Sequence, residues 1–251
     1  MPRQARQKSE SDIYHVMLRG IDRQLIFEEA EDYFHFLDIL RECQKVCEFK
    51  LFAYCLMGNH VHLLLKVPND DLGTIFKRIG GRYVYYYNVK YQRIGHLFQD
   101  RFKSEPVNDD TYFLTVLRYI HQNPVKAKLC SKVEDYPFSS FAEYLHESTL
   151  VDTEFALSMI DRIEFVRFNN TPNSDVCMEY VLPARRAVTD TQAQGVIEKL
   201  SHCKSITEFQ RLDESKKERL LKKIYAQGVS IRQLSRLTGT TKGKIEKILK
   251  S

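Results

Sequence analysis

No stretch of this 251-residue chain approaches the ~18 consecutive apolar residues of a membrane-spanning helix, so no membrane partner is expected. The six cysteines (Cys43, Cys47, Cys55, Cys130, Cys177 and Cys203) contain no Cys-x-x-Cys pair and no framework spacing, which argues against a disulfide scaffold. Cys43 and Cys47 lie one helical turn apart and read as reduced core residues, and a cytoplasmic location is the expectation that follows. The first eight residues are basic but lead into no apolar segment. They read as a basic arm rather than a secretory signal. What remains is the composition of a globular protein, 43% hydrophobic and 28% charged, with length for one good core and a smaller second one.

The net charge of +5 is unevenly placed. Residues 1–150 hold 20 Lys/Arg against 20 Asp/Glu, so the excess lies beyond them. Within 213–250 the count is 11 basic against 4 acidic, and within 71–132 it is 11 against 5. Such stretches suit a phosphate backbone. A solvated lysine-rich helix is the plainer alternative.

Asn59-His60-Val61-His62 sits in the middle of a strand-like stretch, 51–67. On a strand, residues i and i+2 share a face roughly 6.5–7 Å apart, so both imidazoles can reach one metal ion while Val61 packs on the other face. Arg118-Tyr119-Ile120-His121-Gln122-Asn123-Pro124 ends an amphipathic helix, with Tyr119 and Asn123 at i and i+4 on one side. Two histidines, an amide oxygen and a phenol point to metal-assisted phosphoryl transfer with tyrosine as the nucleophile. Each part alone has a plainer reading. A His-x-His is more often a packed or solvated pair, a helical tyrosine is usually core or surface, and Asn before Pro commonly ends a helix. The combination carries the inference. The mixed nitrogen and oxygen donors leave magnesium, manganese and zinc open. Tyr83, Tyr85, Tyr86 and Tyr87 are rival nucleophiles by composition, although consecutive numbering spreads them around a helix.

The string Ala53-Tyr54-Cys55-Leu56-Met57-Gly58-Asn59-His60-Val61-His62-Leu63-Leu64 resembles the REP-associated branch of the single-tyrosine HUH transposases. Tyr14-His15-Val16 with Arg19-Gly20, Gly95-His96-Leu97-Phe98-Gln99-Asp100-Arg101-Phe102-Lys103, Asn123-Pro124-Val125-Lys126-Ala127 and Tyr136-Pro137-Phe138-Ser139-Ser140 complete the order. The resemblance covers about residues 1–145. Gly58 stands where the family usually has proline, and Phe98 where it usually has tryptophan. The resemblance implies a ferredoxin-like catalytic fold and Mg2+ or Mn2+ held by His60, His62 and Asn123. It also implies that Tyr119 takes the 5′ end of a cut single strand, often beside a hairpin. No small-molecule cofactor is expected, and the chain would work as a monomer or homodimer. Arg101 and Lys103 read as phosphate contacts, as does Arg19, for which a structural salt bridge is the alternative.

Patterning predicts strand 13–20, helix 28–48, strands 50–56 and 60–67, helix 71–90, strand 103–107 and helix 109–121 stopped at Pro124. Gly58 and Asn59 make the hairpin turn, since both tolerate positive φ. This is the split βαβ order of an antiparallel ferredoxin-like sheet, hence an α+β domain over 1–146. A helical connector of unassigned role, 147–212, is expected next, with one amphipathic helix over 151–168, a loop at 169–175 and weaker helices at 178–188 and 191–200. The all-α tail, 213–251, reads as helix 214–227, a capping box at Ser230 and Gln233 opening helix 231–237, a glycine turn, and helix 241–250. That pattern resembles a helix-turn-helix, with Thr240, Thr241, Lys242 and Lys244 at the groove-facing start of the last helix. A helical bundle bracing the catalytic domain is the alternative.

The expected function is metal-dependent nicking and strand transfer of single-stranded or hairpin DNA. Its rivals are a non-catalytic DNA-binding regulator, a replication-initiator or relaxase-type nickase, and a hydrolase of small phosphoesters, for which the basic tail would have no use.

Overall fold

Strands β1 (Ile13–Arg19) and β3 (His60–Lys66) bury nearly every side chain on both faces. A strand does so only at the centre of a sheet covered on both sides. The computed structural model describes residues 6–67, 72–178, 189–203 and 205–250. In it β2 (Lys50–Met57) and β4 (Lys103–Pro106) flank the central pair in the order β2-β3-β1-β4, and every neighbouring pair is antiparallel. Helix α1 (Ala30–Cys47) joins β1 to β2, and α2 (Leu72–Lys90) joins β3 to β4. Two split βαβ units therefore interleave, as the element order predicts.

The β2–β3 turn is a two-residue Gly58-Asn59 loop, but neither residue takes a positive φ. Glycine is favoured at 58 for space instead: a Cβ there would lie 3.2 Å from the Leu25 side chain. Gly20, just past β1, is more demanding, because a Cβ would fall 2.3 Å from the Gln24 carbonyl. The register sets Arg19 opposite His60, Met17 opposite His62 and Lys103 opposite Met17. These residues share one sheet face.

Helix α3 (Asp110–Lys126) packs against β2 and β3. Its capping residue, Asp109, accepts from the Tyr112 amide at 2.8 Å. Phe113, Val116, Leu117, Ile120 and Pro124 bury one helical stripe, and truncating a fully buried member such as Leu117 would cost about 2–5 kcal/mol. The predicted stop before Pro124 is wrong. The helix runs through it, and the Ala127 amide bonds the Asn123 carbonyl at 2.9 Å. Proline gives up its own N–H bond and crowds the preceding turn, but here its ring is buried with the apolar stripe of the helix.

The single helix expected over 151–168 is two: α5 (Glu154–Leu157) and α6 (Arg162–Asn170), after the short α4 (Phe141–Leu145). Asp161 causes the break. Its backbone is extended, and its carboxylate takes the Ile163 and Glu164 amides at 2.9 and 3.0 Å, starting a new helix. Ala156 and Phe165 are fully buried in the same core as the sheet. The segment 171–178 then runs along α3: Gln122 donates to the Thr171 carbonyl at 2.9 Å, and Arg118 pairs with Asp175 at 2.6 Å.

The chain divides into two compact units between Glu179 and Tyr180. The stretch foreseen as one connector, 147–212, is thus shared, its first part packing on the sheet core and its last part building the second. The helix expected at 178–188 falls almost entirely outside the described residues. The second unit holds α7 (Asp190–Ser201), α8 (Ile206–Gln210), α9 (Glu214–Ala226), α10 (Ile231–Thr238) and α11 (Lys242–Lys250). They surround Phe209, Leu221, Ile224, Leu234 and Ile245. The capping box forms as read, with the Gln233 amide on the Ser230 hydroxyl at 3.3 Å and the Ser230 amide on Gln233 Oε1 at 3.0 Å. Gly239 ends α10 at φ +71. No described helix is long and apolar enough to cross a membrane, and all six cysteines are free.

Candidate active site

Strand alternation sends His60 and His62 to the sheet face that α3 covers, and Val61 to the opposite core, where it is fully buried. The two imidazole rings lie 5.1 Å apart. The Tyr119 ring stands edge-on to His62 at 5.7 Å and to His15 at 5.9 Å. One turn on, Asn123 donates its side-chain amide to the Tyr119 carbonyl at 3.0 Å and shares a hydrogen bond with His60. The four residues read from the sequence as ligands and nucleophile are therefore brought to one place.

Their ring nitrogens are not equivalent. His60 Nδ1 meets Asn59 Oδ1 at 2.6 Å, and His62 Nδ1 meets His15 Nε2 at 2.9 Å. That leaves the Nε2 atoms of His60 and His62, with Asn123 Oδ1, as the donors for an ion. Among the described residues no cluster of three His, Cys, Asp or Glu could hold a metal, so an ion on the histidine pair would take a third donor of another kind. Two imidazoles and an amide oxygen fit a divalent first-row ion, and fit magnesium less decisively than an all-oxygen site would. Burial, and after it the positive Arg19 guanidinium, press His60 down to about 4, against its hydrogen bond with Asn123. Burial, then the neighbouring His15 and His60, hold His62 well below the usual imidazole range. Both rings stay neutral at pH 7, the form that binds metal.

Sequence reasoning missed three neighbours of this site. His15, fully buried on β1, bridges His62 to Glu105 on β4, its Nδ1 lying 2.7 Å from Glu105 Oε1. Burial raises the Glu105 carboxyl, but hydrogen bonds led by His15 outweigh it and leave the group below its ordinary value. Lys126 places its ammonium 4.9 Å from the Tyr119 ring centre. His15 and Lys126 both lie in segments that carry the family resemblance, and Lys126 also stands seven residues, two turns, after Tyr119; Glu105 carried no signal.

The rival tyrosines have other work. Asp32, fully buried, accepts from the Tyr91 and Tyr86 hydroxyls at 2.8 and 3.0 Å and from Lys90 at 2.8 Å. Burial opposes its charge, yet Lys90 and the other donors hold the carboxyl at about 2. Tyr83 is fully buried and donates to the Ile26 carbonyl, Tyr87 donates to Glu28 at 2.9 Å, and Tyr85 is exposed. None of these four approaches the histidine pair as Tyr119 does.

Against this geometry stand the comparisons with known proteins. Residues 8–123 match the family model described as "Transposase IS200 like". The matched residues all lie in the first unit. A putative REP-associated tyrosine transposase of Haemophilus influenzae is 34% identical over 113 residues, covering 39% of this chain and 64% of that protein. The REP-associated tyrosine transposase of Escherichia coli is 25% identical over 95 residues, covering 37% of this chain and 54% of its own. The chain thus spans less than two thirds of the length of these relatives. A solved REP-associated tyrosine transposase bound to a REP hairpin shares the fold, with TM-score 0.51 and 17% identity over 61% of this chain and 93% of its own.

The residues expected to touch DNA are scattered relative to this domain. Arg19 ends β1 beside His60, and Lys103, half-buried, opens β4 two places across the sheet from His62. Arg101 is exposed on the segment entering β4. In the second unit Thr241, Lys242 and Lys244 are exposed at the start of α11, but Thr240 is buried beneath it, 3.2 Å from the Thr238 hydroxyl. Lys244 pairs with Glu214 of α9, and Lys242 lies 3.7 Å from Glu246.

Proposed function

We propose that this chain is a divalent-metal-dependent nickase and strand transferase of single-stranded DNA, with Tyr119 as nucleophile. The observation that carries the reading is the meeting of Tyr119 with the His60–His62 pair, within residues that match the IS200-like transposase model. Cutting a phosphodiester needs an in-line nucleophile and relief of charge on the non-bridging oxygens. Mg2+ or Mn2+ held by His60, His62 and Asn123 would supply that relief as a Lewis acid.

Tyr119 Oη would attack phosphorus while the 3′ oxygen leaves and takes up a proton, storing the 5′ phosphate on the tyrosine. A later 3′-hydroxyl reverses the step with the phenolate as leaving group, so strand transfer needs no ATP. A phenol is a weak nucleophile unless a positive field favours its phenolate, and Lys126 contributes to such a field. Tyr119 is 3% exposed, so a strand must approach past the half-buried His60 and the exposed Lys126. Arg19 and Lys103, near the histidines in the register, would hold flanking phosphates, with Arg101 outside them.

A hairpin-bearing strand is the proposed substrate, in keeping with the REP hairpin on the solved relative. Helices α10 and α11, joined by the turn at Gly239, form a helix-turn-helix-like module whose Thr241, Lys242 and Lys244 would meet DNA. Since both lysines already face an acidic partner, phosphate contact there would exchange one ion pair for another. The protein would act in the cytoplasm as a monomer or homodimer.

Incubation with a hairpin oligonucleotide labelled 3′ to the cut tests the reading on a denaturing gel. Wild type should carry the label in a metal-dependent covalent adduct, and Tyr119→Phe should carry none while still binding DNA. A full-strength adduct in the variant would remove Tyr119 from the mechanism.

A further inference from the structure

His15 and Glu105 donate nothing to the proposed ion, yet they bond in series to His62, His15 fully buried and Glu105 half-buried beyond it. His15 lies opposite Leu64 on β3 and opposite Glu105 on β4, so it reaches His62 as a diagonal neighbour across the sheet. We infer that Glu105 and His15 are positioning residues that fix the tautomer of His62, so that its Nε2 offers a lone pair to the divalent ion. The inference rests on the metal site proposed above.

The argument is one of donors and acceptors. An ionised carboxylate only accepts, so the 2.7 Å contact at Glu105 requires the hydrogen on His15 Nδ1. With a single ring hydrogen, placed on Nδ1, His15 has only a lone pair on Nε2. The group facing that lone pair at 2.9 Å is His62 Nδ1, which must therefore donate. His62 Nε2 is left without a hydrogen. With His15 fully buried and His62 2% exposed, water cannot take over either role. Glu105 is itself held from two more directions. The Met178 amide donates to the same Oε1 at 3.1 Å, and the Tyr112 hydroxyl of α3 bonds to it as well. A ligand histidine oriented through its second nitrogen by a carboxylate is a recurring arrangement at metal sites. Here a second imidazole carries that influence across one more strand.

Glu105→Gln discriminates, because an amide can donate to His15 Nδ1 as well as accept from it, and so permits the reversed tautomers. In metal-free, 15N-histidine-labelled full-length protein, two-bond 1H–15N spectra should show His62 as Nδ1–H. The Nε2–H form should appear in Glu105→Gln. Mn2+ titration followed by electron paramagnetic resonance should then show affinity about 10–100-fold weaker in the variant, with an unchanged urea unfolding midpoint. His15→Gln serves the same purpose should Glu105→Gln fail to fold. Wild-type His62 found as Nε2–H, or a variant keeping both the wild-type tautomer and wild-type Mn2+ affinity, overturns the inference. A wild type that shows the Nδ1–H form and binds no Mn2+ supports the relay and defeats the metal site instead.

Discussion

The Asn123 side chain bonds the Tyr119 carbonyl, 3.0 Å away and one turn earlier in the same helix. The bond commits one amide hydrogen to the helix and fixes the plane of the side chain, which leaves the amide oxygen to face the histidine pair. The proposed nucleophile and the proposed third ligand are thereby fixed to each other by the pitch of α3.

Asn123→Asp separates the two roles. The carboxylate still offers oxygen to a metal but can no longer donate to the Tyr119 carbonyl, and it places a second acceptor beside it. Mn2+ affinity should hold or rise while single-turnover cleavage falls at least about tenfold, the scale of a misplaced reacting group. Asn123→Ala should lose both. Wild-type cleavage by Asn123→Asp would show the bond between amide and carbonyl to be dispensable.

His121 gives the stability a pH slope of known sign. Its ring is fully buried between Asn169 Oδ1 at 3.0 Å and the Ser140 hydroxyl at 2.9 Å, and burial, opposed by the Asn169 bond, lowers it from 6.5 to about 4. Between those values the unfolded chain binds more protons than the folded one, so stability is full above the unfolded value and is lost as pH falls through the window. The slope is at most about 1.4 kcal/mol per pH unit for each such histidine. Urea unfolding at pH 7.5 and pH 5 should show the drop, and His121→Gln should shrink it. An equal drop in that variant would place the titration elsewhere.

Gly239→Ala should destabilise the second unit by about 1–3 kcal/mol. The residue sits at φ +71, and an added Cβ would come within 2.8 Å of the Ile206 side chain. Thermal melting of the full chain should show the second unit unfolding earlier with the first unaffected.

The helical unit's contact with DNA is read from salt dependence. Lys242→Ala with Lys244→Ala should flatten the slope of log K against log salt by roughly 0.7–0.9 per lost phosphate contact. Loss of the exposed Lys244–Glu214 pair should barely change stability. A chain ending at residue 179, where the first unit closes, should show a larger change of the same kind. An unchanged slope in both proteins would leave the unit without a role in DNA binding.

The histidine pair was legible because its relation is local: the pleat alone puts His60 and His62 on one side, as the helical turn does for Tyr119 and Asn123. The Glu105–His15 contact was not, since it depends on which strands are neighbours and in what register, and no local pattern states that. Asp161 misled in a different way. Apolar spacing over 151–168 is continuous, but one carboxylate capturing two amides restarts the helix. At Pro124 the error ran the other way, where tertiary packing carried a helix past a residue that propensity says should end it.

The segment 171–178 bears on how this domain could be excised or transplanted. A fragment cut where the family match ends, at residue 123, would lose the Met178 amide on Glu105, the Asp175 partner of Arg118, and the last turn of α3 with Lys126. The folded unit is therefore longer than the stretch matched by the family model. A gene fusion or recombination joint placed inside 124–178 should yield a folded sheet whose active-site helix has lost its outer support.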